Sequence, residues 1–448
     1  MPERYGNEGE PEAGLLRSGR EEATVRNGRE DATGHAPEKL GDQGEADTAI
    51  APAERGKDRK PSSAPTGHEE DPKIALERYG HGGDLETASA LYGLPADAFL
   101  DYSSNMNPWG PPETAKAAML RAWERVGAYP DPTARRLRAA LAEKHGVPEE
   151  AIWVGNGAAE AIDLAMRVAR PTVAAVVAPG FKEYETAVAH AGGQTTPLYV
   201  TAEDGFALRP EAVREAGKTA DVIALGHPNN PTGRLIEPET AEAALESFRT
   251  VLIDEAFLDF HPEEERDTWV RRAAETPGLF VTRSLTKFYS IPGLRLGYVV
   301  AHPDAIARIR GLAVPWSANG IALEVGLAVL ADAAFAAKTL DWLPEERERM
   351  AAGLRAIGFE PFPSDANFML VRLPRKREEG ASGEAAPRLR AGGAQTALGR
   401  QGILIRNAAT FRGLDDTYVR LAVKRREDND RVLDALRAWA DAEREALA

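Results

Sequence analysis

DVIALGHPNNPTGRLIEPETAEAALESFRTVLIDEAF, residues 221–257, decides the fold. Residues 221–225 form a short apolar run, HPNNPTG (227–233) is a turn by composition, and residues 239–248 carry a helical pattern. Residues 251–254 are apolar again. A strand, a helix and a strand in that order, with strands almost continuously apolar, predict parallel neighbours buried on both faces. The alternation extends outward in both directions. Upstream lie strand candidates at 152–154, 173–178 and 194–200, separated by helical segments at 158–169 and 184–191. Downstream come a helix over 263–275 and strands at 280–283 and 296–301. The expectation is an α/β fold whose large domain, 74–320, holds a seven-stranded, mostly parallel sheet. Beyond about Ile321 two long helices, 321–337 and 344–357, precede strands at 367–372, 403–406 and 418–423 and a closing helix from about Asn429. That order predicts a smaller α+β domain over 321–448.

The flanks read differently. Residues 1–73 mix Glu, Arg, Gly, Pro and Ala, hold almost no Val, Ile or Phe, and show no period. Such a segment buries too little apolar surface to offset its ordering entropy, so a disordered extension is expected there. A charged solubility tail or a mis-chosen start codon explains it more simply than a partner-binding arm. PRKREEGASGEAAPRLRAGG (374–393) reads as an expanded surface loop. Across the 448 residues, 55 Lys and Arg face 70 Asp and Glu, a net charge of −15. No overall basic field is left to hold a phosphate backbone, which disfavours a nucleic-acid partner. Hydrophobic residues make up 43%, ample for a large core, yet no run reaches the ~18 apolar residues of a membrane helix. The N-terminus lacks the apolar core of a secretory signal. Cysteine is absent, which excludes disulfides, thiolate metal sites and cysteine nucleophiles and fits a cytoplasmic protein. No metal cluster is expected among the eight histidines.

In open α/β sheets the ligand sits beyond the carboxyl ends of the strands, and four unusual segments fall there. GNGAAE (155–160) links a strand to a helix; its glycines allow close backbone approach, and the helix N-terminus offers free N–H groups to a phosphate. HPNNPTG is the second. The third, VLIDEAFLDF (251–260), ends an apolar strand in Asp254, where a carboxylate is costly unless paired or hydrogen-bonded. The fourth, RSLTKFYSIPGLRLGY (283–298), puts Ser284, Thr286, Lys287 and Arg295 in one loop, the two cations eight residues apart. Taken singly these are a glycine turn, a surface turn, an N-cap and an exposed lysine. Their succession on neighbouring strand ends points to one site.

NPTG, then DEAF, then SLTK with an arginine eight residues on resembles the fold-type-I pyridoxal-phosphate enzymes, the aspartate aminotransferase superfamily, over about Arg78 to Trp439. The resemblance implies that fold, a pyridoxal 5'-phosphate cofactor and a homodimer. It also implies roles: Lys287 linked covalently to the cofactor, Asp254 on its ring nitrogen, Asn230 on its ring hydroxyl, and Phe181 (in APGFKEY) stacked on the ring. Ser284, Arg295 and the backbone of Ala158 and Ala159 would hold its phosphate, with Tyr129 (in AYPDP) reaching the phosphate from the partner subunit. The chemistry agrees: a lysine beside another cation loses its proton more easily, and arginine suits phosphate through bidentate bonds. The sequence departs from many relatives at Phe257, where they have a tyrosine that donates to the ring hydroxyl; Asn230 is left as the donor. Two other classes fit less well. GNGAAE has only the first two glycines of a dinucleotide fingerprint, and residues 1–73 show no helix-turn-helix that would make a cofactor-sensing regulator.

Two families within the superfamily compete, the histidinol-phosphate aminotransferases and the threonine-phosphate decarboxylases of cobalamin biosynthesis. YGHGGDLETASALYGL (79–94), DYSSNMNPWGPP (101–112), VPWSANGIA (314–322) and GILIRNAATFRGLDDTYVRLAV (402–423) look like the decarboxylases. That resemblance implies a phosphorylated amino acid as substrate and loss of carbon dioxide from O-phospho-L-threonine. His81 and Gly82 would contact its phosphate with Asn105 nearby, while Asn230, Arg406 and Arg420 bind the substrate, Arg420 at the carboxylate end and Arg406 at the phosphate end. The same catalytic parts serve transamination or decarboxylation, and substrate orientation decides between them.

Overall fold

The computed structural model describes residues 82–375 and 388–445. His81, the 1–73 extension and the middle of the 374–393 patch lie outside the described residues. In chain order the first eight strands are β1 (Leu100–Asp101), β2 (Ile152–Gly155), β3 (Val173–Ala178), β4 (Gln194–Tyr199), β5 (Val222–Gly226), β6 (Thr250–Asp254), β7 (Leu279–Ser284) and β8 (Gly297–Ala301). The remaining five are β9 (Glu360–Pro361), β10 (Phe368–Arg372), β11 (Ile403–Leu404), β12 (Arg406–Asn407) and β13 (Tyr418–Ala422).

Seven strands form one sheet in the order β2-β8-β7-β6-β5-β3-β4. All its pairings are parallel except those of β8, which runs antiparallel to both β2 and β7. A strand of apolar residues gives successive side chains to opposite faces, so both faces must be covered. Along β5, Val222 and Ala224 enter one apolar cluster while Ile223 and Leu225 enter the other; along β6, Leu252 faces the first and Val251 and Ile253 the second. The helix Ala158–Ala169, with Ile162, Leu164 and Met166 buried, covers the first face together with Glu183–His190 and Pro303–Leu312. Arg135–His145, Pro238–Ser247 and Val270–Glu275 cover the other. The edge strand β4 keeps partial exposure, which is why its sequence, QTTPLY, is more polar.

A second, smaller sheet is antiparallel, in the order β12-β13-β10-β9, and a two-residue parallel pair joins β1 to β11. No single described helix is long and apolar enough to cross a membrane.

Several expected elements are redrawn. The helix expected over 263–275 is two helices, Glu264–Asp267 and Val270–Glu275, because the buried Glu255 carboxylate accepts the Trp269 N–H (2.7 Å) and the Thr268 hydroxyl (2.7 Å) at the break. The two long helices run Gly320–Leu330 and Ala333–Ala356, parted where Asp332 caps the second by accepting the Phe335 N–H at 3.0 Å. Pro344 sits inside the second helix rather than at its start, since burial of Phe335, Leu343, Met350 and Leu354 on one side outweighs the lost backbone bond. The strand expected at 403–406 is two short strands in different sheets. The 374–393 patch is not a surface loop at its C-terminal end: Leu389 and Ala391 are fully buried and Ala391 opens the helix Ala391–Gly399. Charge and glycine content hid the apolar residues at its edge.

Beneath the carboxyl ends of β6 and β7 lies a buried charge network. Arg283, with no solvent exposure, pairs with Glu255 (2.9 Å), Asp259 (2.9 Å) and Glu264, and Lys144 reaches Asp259 and Glu264 at 3.3 Å each. Burial works against the Arg283 charge, but Asp259, Glu264 and Glu255 hold it firmly protonated. Glu255 follows Asp254 and Arg283 precedes Ser284, so the network clamps the two strand ends from below.

Candidate active site

Because β5, β6 and β7 are parallel, Gly226, Asp254 and Ser284 end on the same side of the sheet. A cavity of about 570 Å³ opens there. It is lined by Gly82, Asn105, Ala158, Ala159, Phe181, Asn230, Asp254, Ser284, Lys287, Arg295, Arg406 and Arg420, residues up to 338 positions apart in the chain.

Asp254 is buried and accepts from the Tyr184 hydroxyl (2.9 Å, Oδ2) and the Thr282 hydroxyl (2.9 Å, Oδ1). Burial pushes its carboxyl up, against the two hydroxyls that favour the anion. Among the described residues no lysine or arginine pairs with it. A buried carboxylate that faces the cavity with no cation bonded to it suits a ligand that carries a protonated ring nitrogen.

Lys287 lies in the short helix Leu285–Phe288, which Ser284 caps by accepting the Thr286 N–H. Burial, then the cations Arg420 and Arg295, bring the Lys287 amine down to about 8. An amine at that level is partly free of its proton at neutral pH and can act as a nucleophile or carry a proton. The Ser284 and Thr286 hydroxyls touch at 2.7 Å beside it.

The helix Ala158–Ala169 points its first N–H groups at the same space. Gly157, at φ +89°, has the Arg295 guanidinium directly over it: a Cβ there would stand 2.7 Å from Nη2. A Cβ on Gly297 would come within 2.4 Å of the Ala158 nitrogen. Two positions that admit only glycine, the N–H groups that open the helix, the Ser284 hydroxyl and an arginine make a cradle for a phosphate.

The opposite wall holds Arg406 and Arg420, which face each other across β12 and β13 as directly paired residues. Both are buried, and burial brings Arg406 down to about 10 and Arg420 to about 9. Arg420 donates to Asn230 Oδ1 (2.6 Å) and to the Ser103 carbonyl; Arg406 donates to the Thr410 hydroxyl at 2.9 Å. Like charges directly opposite in a sheet repel, and more so out of water, so the pair is arranged for anions.

Tyr129 alone among the described candidates stands apart from this cavity. It is 84% exposed, packs on Trp316 with ring centroids 5.0 Å apart, and lines a separate hollow of about 800 Å³ that carries none of these groups. Sequence reasoning missed Tyr184, Thr282, Ser103 and Phe411. Tyr184 had a signal, three residues after Phe181 and so on the same side of its helix; Thr282 shares the strand face of Ser284. Ser103 and Phe411 had none.

The aminotransferase class I and II family model matches residues 98–436. The chain belongs to this family. Its cofactor is pyridoxal 5'-phosphate, which the buried Asp254 carboxylate, the Lys287 amine and the glycine cradle fit. Within the family the chain is similar to the threonine-phosphate decarboxylase of Salmonella typhimurium (strain LT2), 36% identical over 370 residues, 81% of this chain and 97% of that one. A histidinol-phosphate aminotransferase of Roseiflexus castenholzii is also 36% identical, over 375 residues, 82% of this chain and 96% of that one. Among solved structures, the histidinol-phosphate aminotransferase from Clostridium acetobutylicum superposes with a TM-score of 0.69 at 29% identity, covering 76% of this chain and 99% of that one. The family and its fold are those that the NPTG, DEAF and SLTK motifs implied.

Proposed function

We propose that this pyridoxal-phosphate enzyme is a threonine-phosphate decarboxylase, converting O-phospho-L-threonine to carbon dioxide and (R)-1-amino-2-propanol O-2-phosphate in cobalamin biosynthesis. The observation that carries the reading is the buried Arg406–Arg420 pair in the same cavity as Asp254 and Lys287. Two desolvated guanidiniums side by side suit a small substrate with a carboxylate and a phosphate on one short frame. The Salmonella relative, matched over nearly its whole length, supports it.

When bound, the cofactor supplies an electron sink for the bond broken at the substrate's Cα. The protein's own groups do the rest. Asp254, steadied by Tyr184 and Thr282, would keep a proton on the ring nitrogen. Ser284, Arg295 and the Ala158 and Ala159 N–H groups would hold the cofactor phosphate, Phe181 would pack on its ring, and Asn230 would donate to its hydroxyl. Lys287 would hold the cofactor and, once released by the substrate's amine, would be placed to return a proton to Cα. Arg420 takes the substrate carboxylate, and Arg406 takes the substrate phosphate, with Gly82, Asn105 and His81. Because Arg420 also donates to Asn230, the carboxylate site and the ring-hydroxyl site are tied together.

The deciding experiment supplies O-phospho-L-threonine and, separately, histidinol phosphate with 2-oxoglutarate. Carbon dioxide from the first is expected. Glutamate from the second and no carbon dioxide from the first would make the enzyme an aminotransferase. Arg420→Ala should cost roughly ten- to a hundredfold in kcat/KM for phosphothreonine, a charge-assisted bond of about 1.5–3 kcal/mol. Arg420→Lys should recover little, since a point charge does not replace a fork.

The apolar surface around Tyr129 supports a homodimer. Trp123, Val126, Tyr129, Val314 and Trp316 expose between 45% and 84% of their surface, and a second copy is the occupant that lets Tyr129 reach a neighbour's cofactor phosphate. Sedimentation should give twice 48.3 kDa. Tyr129→Phe should weaken cofactor retention; a fully active monomer would remove Tyr129 from the site.

A further inference from the structure

We propose that Phe411 is a positioning residue that holds the Arg406 and Arg420 guanidiniums side by side for a ligand with two anionic groups. The inference rests on the reading above, in which these arginines bind the substrate's anions. Two facing arginines on adjacent strands are pushed apart by their charges, and burial removes the water that would screen them. Arg420 is held by Asn230 and the Ser103 carbonyl and Arg406 by Thr410, but none of these partners touches both. The Phe411 ring does: its centroid lies 5.5 Å from Arg406 Cζ and 6.0 Å from Arg420 Cζ, and the ring lines the cavity. An aromatic face attracts a guanidinium within about 6 Å, most strongly where water is excluded.

The loop around Phe411 is built to keep that ring in place. Its N–H donates to the Ala408 carbonyl (3.0 Å) and its carbonyl accepts from Leu414 (3.1 Å). Arg412 pairs with Glu185 of the helix Glu183–His190 at 3.2 Å. Gly413, at φ +89°, lies against the Tyr199 ring at the end of β4, where an added Cβ would stand 3.2 Å from it. The segment 408–414 thus leaves the small sheet and is fastened to the large one on its far side. Phe411, only 8% exposed between those anchors, has little freedom to turn away. Phe368 offers a second face to Arg420 alone, at 5.4 Å. Phe411 is the ring the two arginines share.

The test uses the holoenzyme, in which the cofactor's own phosphate site is filled, and compares Phe411→Met, which keeps apolar volume without a ring, with Phe411→Tyr, which keeps the ring. Calorimetric titration with inorganic phosphate gives Kd, and turnover of O-phospho-L-threonine gives kcat and KM. Phe411→Met should raise both Kd and KM about tenfold while kcat stays within about twofold. Phe411→Tyr should stay within about threefold of the wild type in all three. Phe411→Leu repeats the ring-free arm with a branched side chain, and the cofactor absorption band and melting temperature report folding. Kd and KM unchanged in Phe411→Met, or a Phe411→Tyr as impaired as Phe411→Met, overturns the proposal. If the wild type does not turn over phosphothreonine, the functional reading fails while the phosphate titration still decides the role of Phe411.

Discussion

Replacing Lys287 by alanine should lower phosphothreonine turnover by on the order of 10²–10⁴-fold, the contribution of one positioned proton-carrying side chain. Lys287 faces the cavity beside Ser284 and Thr286, within reach of the charges of Arg295 and Arg420. In the wild type, borohydride reduction should fix the cofactor to Lys287, and peptide mapping reads the position. A label on any other lysine sinks the assignment. The amine also sets a pH dependence. It titrates at about 8, and only its unprotonated form attacks, so cofactor addition to the stripped protein should speed up about tenfold per pH unit below that value and level off above it. A rate flat across that range would show that another step limits. Stability follows the same shift. The folded value lies below the ordinary 10.5, so the unfolded chain holds the proton more tightly between the two. The contribution of Lys287 to the stability of the stripped protein is full above 10.5 and is lost as pH falls through about 8.

Arg283→Ala should destabilise the protein by about 3–5 kcal/mol, read from the midpoint of urea unfolding, because it leaves Glu255 buried without its cation and Asp259 and Glu264 with Lys144 alone. Arg283→Met combined with Glu255→Leu should cost less than Arg283→Ala alone, since removing a buried pair together avoids the unpaired charge. A loss under about 1 kcal/mol for the single variant would show that water enters and satisfies the carboxylates. The damage should also reach the site above, because Arg283 adjoins Ser284 and Glu255 adjoins Asp254. Weakened cofactor retention in Arg283→Ala is expected with Lys287 and Arg295 untouched.

The large sheet was legible because its strands are buried on both faces and so are written as unbroken apolar runs. The strand Val173–Ala178 and the helix Ala158–Ala169 fall where periodicity puts them. Residues that end those strands could be read as a group: Asp254 breaks an apolar strand where a carboxylate needs an explanation, and Lys287 stands out by its place in the loop beyond the next strand. Helices such as Glu113–Trp123 and Arg135–His145, rich in charge and alanine, were not read, because only a narrow stripe of each is buried. The interruption at Thr268 and Trp269 depends on a carboxylate thirteen residues away in the chain, which no local pattern reveals. Arg406 and Arg420 could be picked out singly, yet their facing registry is a property of two strands meeting and not of either. Phe411 reads as one more core aromatic until both guanidiniums are seen beside it.

The parallel pair β1–β11 joins residues 100–101 to residues 403–404, and Arg420 reaches back to the Ser103 carbonyl. Such contacts between distant parts of the chain form late, because a long loop must close before they repay its entropy. A nascent chain leaving the ribosome has all seven strands of the large sheet, with Asp254, Lys287 and the glycine cradle, once residue 301 has emerged. The wall carrying Arg406 and Arg420 cannot be built until more than a hundred further residues follow. Premature termination near residue 400 would therefore leave a protein able to present its cofactor-facing groups but not its paired arginines. During synthesis, the arginine wall is the last part of the cavity to arrive.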